Sequence, residues 1–318
     1  MLRIHQLDGE RWATSEGTAA LAVAVERGRR PIWVEAIAPD AAERTALVAA
    51  LKLQEGSLVD ALEPQHPPVF RDFEQHLFLI VHAPESSQQQ ATRKVALFIG
   101  DRFVVSVVRT ELKLLDPVQE QMRRHPRYYL ERPERVAHAL LHHMADVFEE
   151  RVDELIDVAQ LLEEEALEKQ GGDLLQRLHA LRRRAAGFTR TVRAQRDVCQ
   201  ALARGGNSFL SRSVEPYLRD VADHMLRIYD LLEAVRDGIL AARDSHLTAV
   251  NNQLNLTMRT LTAVATILLP LGLIASLFGM NFDAMPLLHR PGGFWIVAGG
   301  MTALAVGLFA WFRSRRWL

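Results

Sequence analysis

The order of polar and apolar positions divides this chain into two regimes. Residues 260–282 carry no charged side chain, and neither do residues 291–312. Each run exceeds the roughly 20 apolar residues with which a helix crosses about 30 Å of hydrocarbon. The pattern predicts two transmembrane helices, at 259–280 and 292–312, joined by a short external loop at 281–291 and followed by a basic tail at 313–318. Everything before residue 259 is rich in charge.

Upstream of the first span, Leu218, Val221, Met225, Ile228, Leu232, Val235, Ile239 and Ala242 alternate steps of three and four. A period of about 3.5 marks a helix in a supercoiled bundle. Ser213 is placed to cap this helix, with Pro216 in its first turn. Gly238 lies in strongly helical surroundings, so the stalk at 213–258 is expected to continue into the membrane without a break. One helix from Val214 to Phe278 would be about 100 Å long at about 1.5 Å per residue. Such a helix needs neighbours, and either an αα-hairpin of the same chain or other subunits must cover its seam.

An αα-hairpin is predicted at 131–205. Glu134 to about Lys169 reads as one long helix, and Gly171-Gly172-Asp173 breaks it, with Asp173 able to cap the next. That helix carries the seam Leu174, Leu178, Leu181, Ala185, Phe188 and Val192, and Gly205-Gly206-Asn207 ends it. Before the hairpin, Asp116-Pro117 supplies an N-cap and first helical position for a shorter helix that runs out near His125-Pro126.

Residues 1–130 read as a mixed α/β unit. A strand is expected at 31–37, a helix at 41–53 and one or two helical turns at 58–62. The aromatic and β-branched stretch at 69–81 is strand-like in its second half. After a polar loop at 86–92, the runs 94–99 and 102–108 flank Gly100-Asp101 as a tight hairpin. The fold class is therefore an α+β body, then a long stalk helix, then a two-helix membrane hairpin.

Composition adjusts this picture at a few points. With 318 residues, 24% charged, and a net charge of -1, the averages resemble those of a soluble protein and conceal the two regimes. The near-zero net charge gives no reason to expect nucleic acid. A single cysteine, Cys199, cannot form an internal disulfide, which fits a reducing compartment for the body. Met1 to Asp8 has no apolar core of signal-peptide length, so no cleaved signal is expected. Arg259 before the first span and Arg313, Arg315 and Arg316 after the second place both termini in the cytoplasm of a multi-pass inner-membrane protein. His289 and Arg290 in the loop oppose this, but a large unsignalled body is easier to leave inside than to translocate.

The first span is more than an anchor in composition. Continuing the stalk seam gives Asn255, Met258, Thr262, Ala265, Leu269, Gly272, Ser276 and Gly279, a face that is largely small or polar. Two explanations compete: close helix packing through small residues, or a pore wall built from several copies. Pro270 fits either, as a kink or as a proline that a span tolerates. In the second span Trp295 and Trp311 suit the interfacial belt, and Gly299, Gly300 and Gly307 suit close packing as an outer helix.

Other constellations are weaker. His138 and His142, with His143 and Asp146 beside them, have metal-ligand spacing, although a partly solvated helix face explains them as well. Glu163-Glu164-Glu165 is a solvated run or a cation-collecting surface, and Arg182-Arg183-Arg184 could pair with it. No phosphate loop, nucleophile arrangement or catalytic carboxylate pair is visible, so no enzyme is expected.

At Gly279-Met280-Asn281 the sequence resembles the CorA family of divalent-cation channels. Pro270-Leu271 before the tripeptide, Phe282 and Met285-Pro286 after it, and the ending Arg315-Arg316-Trp317-Leu318 share in the resemblance. So does Glu215-Pro216-Tyr217-Leu218-Arg219-Asp220-Val221-Ala222-Asp223-His224 at the stalk start. The resemblance implies a homopentamer in the lipid bilayer, with five stalk helices as an inner ring and the stripe as pore wall. It implies uptake of Mg²⁺, with Co²⁺ and Ni²⁺ as further candidates, driven by membrane potential, and no cofactor beyond Mg²⁺ as transported and regulatory ion. Gly279, Met280 and Asn281 would select ions at the mouth. Asn255, Met258, Thr262, Leu269, Gly272 and Ser276 would line and gate the pore. Asp220, with Glu85 as its partner, would sense cytosolic Mg²⁺. The family's loop usually continues Met-Pro-Glu-Leu, where this chain has Met285-Pro286-Leu287-Leu288, leaving Asp283 as the one carboxylate there. The related ZntB zinc carriers share the architecture, so zinc is the second substrate candidate. A membrane-tethered coiled-coil sensor or scaffold is the alternative of another class.

Overall fold

A computed structural model describes residues 1–26, 30–84, 92–168, 173–206, 209–280, 287, 290–315 and 317, with only the backbone described at 114, 167 and 168. Contacts divide the chain into two units, Met1–Glu163 with Asp173–Ala241, and Glu164–Gly172 with Ala242–Leu318.

The first unit is built on a seven-stranded sheet of order β2-β1-β3-β7-β6-β5-β4. Its strands are β1 (Leu2–Asp8), β2 (Arg11–Glu16), β3 (Ile32–Ile37), β4 (Val69–Asp72), β5 (Leu77–Pro84), β6 (Thr92–Ile99) and β7 (Phe103–Val108). All neighbours are antiparallel except β3 and β7, which run parallel at the centre. The predicted hairpin at Gly100-Asp101 is present, closed by Gly100 N–H donating to the Phe103 carbonyl at 2.9 Å. A Cβ at Gly100 would lie 2.3 Å from the Phe103 ring, so a larger residue there would displace that ring.

Alternation assigns the two faces of the sheet. Leu2, Ile4, Val34, Ala36, Phe78, Ile80, Phe98 and Val105 form one core. The helices α1 (Thr18–Glu26), α2 (Ala41–Leu51) and α3 (Glu55–Leu62) add Leu21, Leu47 and Leu58 to it. A capping box at Asp40 and Glu43 starts α2. The opposite face carries Trp33, whose indole N–H donates to Ser106 Oγ at 3.0 Å, and the buried pair His5–Glu35 at 2.9 Å. Gln119 on α4 (Asp116–Arg124) donates to Glu35 at 2.6 Å, followed by α5 (Pro126–Leu130). The backbone N–H of His82 donates to Gln195 on α7 (Leu174–Ala203) at 2.8 Å.

Three local expectations are corrected, and a fourth is met in position only. The stretch 69–81 is two strands, β4 and β5, because Phe73 N–H donates to the His76 carbonyl and turns the chain between them. Asp116 is not a cap: a 3₁₀ turn at Lys113–Leu115 precedes it, so Asp116 is already helical and Leu115 holds the cap position. Asp173 holds the N-cap position of α7 as expected, although its side chain makes no cap hydrogen bond. Ser213 shares its hydroxyl with Ser211 Oγ at 2.8 Å, one residue short of a capping position for α8 (Glu215–Phe278).

The long helices follow the periodicity. α6 (Pro133–Glu168) and α7 form the αα-hairpin, with Phe148 and Phe188 edge to face at 6.1 Å. Every stalk-seam residue from Leu218 to Ile239 is buried within this chain. α8 touches both hairpin helices, through His224–Glu149 on α6 and the Arg196 guanidinium over Tyr229 from α7. The hairpin therefore supplies the neighbours the seam requires, without another subunit. The second unit holds the rest of α8 and α9 (Gly293–Ser314), both long and apolar enough to cross a membrane.

Candidate ion pathway

Exposure changes abruptly along α8. Beyond His246, most apolar side chains on the helix are open, including Met258 at 64% and Leu269 at 71%. The least exposed positions of the apolar span are Arg259, Ala263, Ile267, Pro270, Leu271, Ile274 and Phe278. Their spacing puts them on one face, which begins where the Arg259 guanidinium lies 5.2 Å over the Trp317 ring. Gly272 lies nine residues beyond Ala263, about two and a half turns, so it points the opposite way. Asn255, Met258, Thr262, Leu269, Gly272, Ser276 and Gly279 all lie on that open side.

Two threonine hydroxyls of the span spend their protons on the helix backbone. Thr262 Oγ1–H donates to the Met258 carbonyl at 2.8 Å, and Thr266 Oγ1–H to the Thr262 carbonyl at 2.8 Å. With its proton spent on the backbone, the Thr262 oxygen turns only lone pairs outward, the polarity a cation or its water shell requires. Pro270 sits inside a continuous α8 and supplies no N–H to the preceding turn. At the helix end, Gly279 N–H donates to the Ala275 carbonyl at 3.0 Å, and a Cβ there would sit 3.3 Å from that oxygen. Met280 is the last described residue before the loop, and Asn281 lies outside the described residues.

The Leu287 carbonyl occupies the space of a Gly293 side chain, 2.0 Å from where a Cβ would be, so glycine is required. Leu287 itself has φ 71°, in the left-handed region that disfavours a leucine.

In the first unit, Asp220 is exposed on α8 and lies close enough to His138 on α6 to favour its protonated form. Burial is the larger effect and, with repulsion from His142, pushes the His138 pKa down to about 4. Glu85, the expected partner of Asp220, lies outside the described residues. His142 and Asp146, expected on a half-solvated face, do lie there, but His224 of α8 joins them. That third residue is separated from them in sequence, and no spacing rule could have supplied it.

The CorA-like Mg²⁺ transporter protein family matches residues 28–316. The cobalt/magnesium transport protein CorA of Thermotoga maritima is 31% identical over 268 residues, covering 82% of this chain and 76% of that protein. The structure of the CorA magnesium transporter from Methanocaldococcus jannaschii superimposes with a TM-score of 0.83 at 21% identity, covering 100% of this chain and 99% of that one. The ZntB cytoplasmic domain from Vibrio parahaemolyticus aligns with a TM-score of 0.62 at 12% identity, covering 79% of this chain and 98% of that one, a likeness of fold. The α+β body, the long helix and the two apolar helices thus have full-length counterparts, and the chain belongs to the CorA-like Mg²⁺ transporter protein family, whose members are membrane transporters of divalent cations and not enzymes.

Proposed function

We propose that this protein carries Mg²⁺ into the cell through a homopentameric channel, driven by membrane potential and closed by cytosolic Mg²⁺. The observation that carries the reading is the open side of α8, opposite the shielded face along the apolar span, with small and polar residues and an outward-facing Thr262 oxygen on it. A simple anchor has no use for it. Five copies turning this side inward would bury Met258 and Leu269 as apolar rings that gate by dewetting, with Asn255, Thr262, Gly272 and Ser276 between and around them. Asn281 would present carboxamide oxygens at the mouth, which can hydrogen-bond the shell of an ion that dehydrates reluctantly. Gly279 would let backbones approach there, and Met280 would hold the loop. A divalent cation gains about 4.6 kcal/mol per 100 mV of inside-negative potential, so no nucleotide site is required.

In this reading both termini are cytoplasmic, and Asp220 contributes to a regulatory Mg²⁺ site together with Glu85. Zinc is the second reading, since the body shares its fold with the ZntB domain and the loop has leucine at 287. The experiment is uptake into liposomes that contain a fluorescent indicator, under a negative internal potential, with Mg²⁺ and with Zn²⁺ in separate arms. Mg²⁺ entry that Asn281→Ala abolishes supports the proposal. Absence of Mg²⁺ entry, or entry unchanged by Asn281→Ala, refutes it, and entry of Zn²⁺ alone selects the second reading.

A further inference from the structure

The first unit contains a cluster of donor atoms remote in character from the oxygen-only stripe. α6 supplies His142, then Asp146 one turn later, then Glu149, and α8 supplies His224 across the helix contact. His142 Nε2 lies 3.9 Å from Asp146 Oδ1, and His224 Nδ1 lies 3.8 Å from the same oxygen. One donor atom from each of His142, Asp146 and His224 falls within 4.8 Å of the others. The two imidazole rings meet at 6.0 Å and 58°.

The hydrogen bonding of His224 gives this geometry its meaning. Its Nε2 lies 2.8 Å from Glu149 Oε2. A carboxylate can only accept, so Nε2 carries the proton, and in the neutral ring Nδ1 is left as a lone pair. That lone pair faces the Asp146 carboxylate, and His142 Nε2 faces the same oxygen. Donor pairs converging on one point, with a carboxylate fixing the tautomer behind one of them, is the arrangement by which proteins hold a metal-binding histidine. His142 Nδ1 is buried and has no hydrogen-bond partner among the described residues. The ring stacks on His138 at 5.7 Å, with Nε2 turned toward the Asp146 oxygen.

We propose that His142, Asp146 and His224 form a binding site for a first-row transition cation within a single subunit, with Glu149 as the outer carboxylate that orients His224. Two imidazoles and one carboxylate suit Zn²⁺, Co²⁺ or Ni²⁺, whereas Mg²⁺ prefers oxygen ligands. Metal–ligand distances of about 2.0–2.2 Å require donor atoms roughly 3.3 Å apart, so the three atoms must close by about 0.5–1.5 Å. His142 and Asp146, each 44% exposed, are the side chains that would move, while His224, at 6%, is fixed. The open side admits the ion and leaves room for water to complete its shell. Bound metal would tie α6 to α8 in the first unit. The site is independent of the transport reading, since its residues lie outside the membrane spans.

The test uses the full-length, untagged protein in detergent, titrated calorimetrically with Ni²⁺ and with Zn²⁺, and with Co²⁺ followed by visible absorption. The expected result is one transition-ion site per chain that survives in Asn281→Ala, with Co²⁺ giving the intense band of a site with fewer than six ligands. His142→Ala and Asp146→Asn should each weaken binding at least about tenfold. Glu149→Gln should weaken it by about 10–100-fold by releasing His224. His142 and Asp146 are half exposed, so those variants test the site without disturbing the helix contact. Binding unchanged in the His142→Ala/Asp146→Asn double variant, loss of all binding in Asn281→Ala, or equal competition by Mg²⁺ would each overturn the proposal.

Discussion

Leu232 and Leu269 lie on the same helix, α8, and the structure gives them opposite surroundings. Leu232 is 0% exposed in the first unit, and Leu269 is 71% exposed in the second. Replacing Leu232 by alanine removes a fully buried side chain from a site whose walls are the chain's own helices. Such truncations cost about 2–5 kcal/mol, the spread reflecting how far the cavity can collapse. For a unit of this size 1 kcal/mol corresponds to about 2–4 °C in Tm, so a cost near 3 kcal/mol lowers the melting point by about 6–12 °C. Leu269→Ala removes an equal side chain from an open position, and the melting of the body should stay within about 1–2 °C.

The two variants should differ in the opposite sense in transport. If Leu269 forms an apolar ring, its truncation widens the constriction and weakens dewetting, so Mg²⁺ flux rises. Leu232→Ala should leave flux per folded protein near the wild-type value. The assays are circular dichroism melting in detergent and indicator-loaded liposomes, run on the same preparations. A Leu232→Ala protein that melts with the wild type would refute self-coverage of the seam. A Leu269→Ala protein that loses as much stability in the body as Leu232→Ala would refute the division of surroundings along α8.

Further expectations concern other parts of the molecule. Burial pushes the Cys199 thiol up to about 12, so a thiol reagent at pH 8 should leave the native protein unmodified and label it fully once denatured. Burial also lowers the pKa of His76, so the folded state binds fewer protons than the unfolded one as pH falls below about 6.5. The stability it permits is complete above that pH and is lost as pH falls; His76→Phe should melt with a shallower loss between pH 7 and pH 5, the half-buried His82 and His138, whose pKa values burial also lowers, retaining part of the slope. Leu287→Glu adds a carboxylate to the loop and should raise Mg²⁺ uptake at low external Mg²⁺, an advantage that fades above about 0.15 M salt. Equal gains at all ionic strengths would exclude electrostatic capture as the cause.

The parts of the fold that follow one period were legible in the sequence. The 3.5-residue seam named the buried stalk positions individually, and the charge-free runs located both apolar helices. The N-terminal hairpin β1–β2 was not legible, because its inward-facing positions on one side include His5, which is buried only by virtue of Glu35 and Trp33 elsewhere. Alternation fails as a signal where a polar side chain is buried against a partner. The parallel pairing of β3 with β7 joins residues 32–37 to 103–108, a contact set by tertiary packing. Capping was misread at Asp116 and Ser213 because a 3₁₀ turn and a serine–serine hydrogen bond each moved the start by a residue or two. In the stripe, residue types favoured close packing over a pore, and the exposure of the side opposite Ala263 is what either arrangement of several copies would cover.

Ligand chemistry offers a reason why one chain would carry both the stripe and the histidine cluster. A pathway of hydroxyls, carboxamides and apolar rings binds through an ion's water, so it favours ions that keep their shell and releases them readily. It discriminates poorly against a Co²⁺ or Ni²⁺ aquo ion, whose shell presents the same hydrogen-bond donors outward. Imidazole nitrogens replace water on those ions and not on Mg²⁺. A nitrogen-bearing site in the body thus responds to the ions that the stripe cannot tell apart. If both proposals hold, transition ions and Mg²⁺ act on α8 through different residues, and their effects on flux should separate in His142→Ala, which removes the first response and leaves the second.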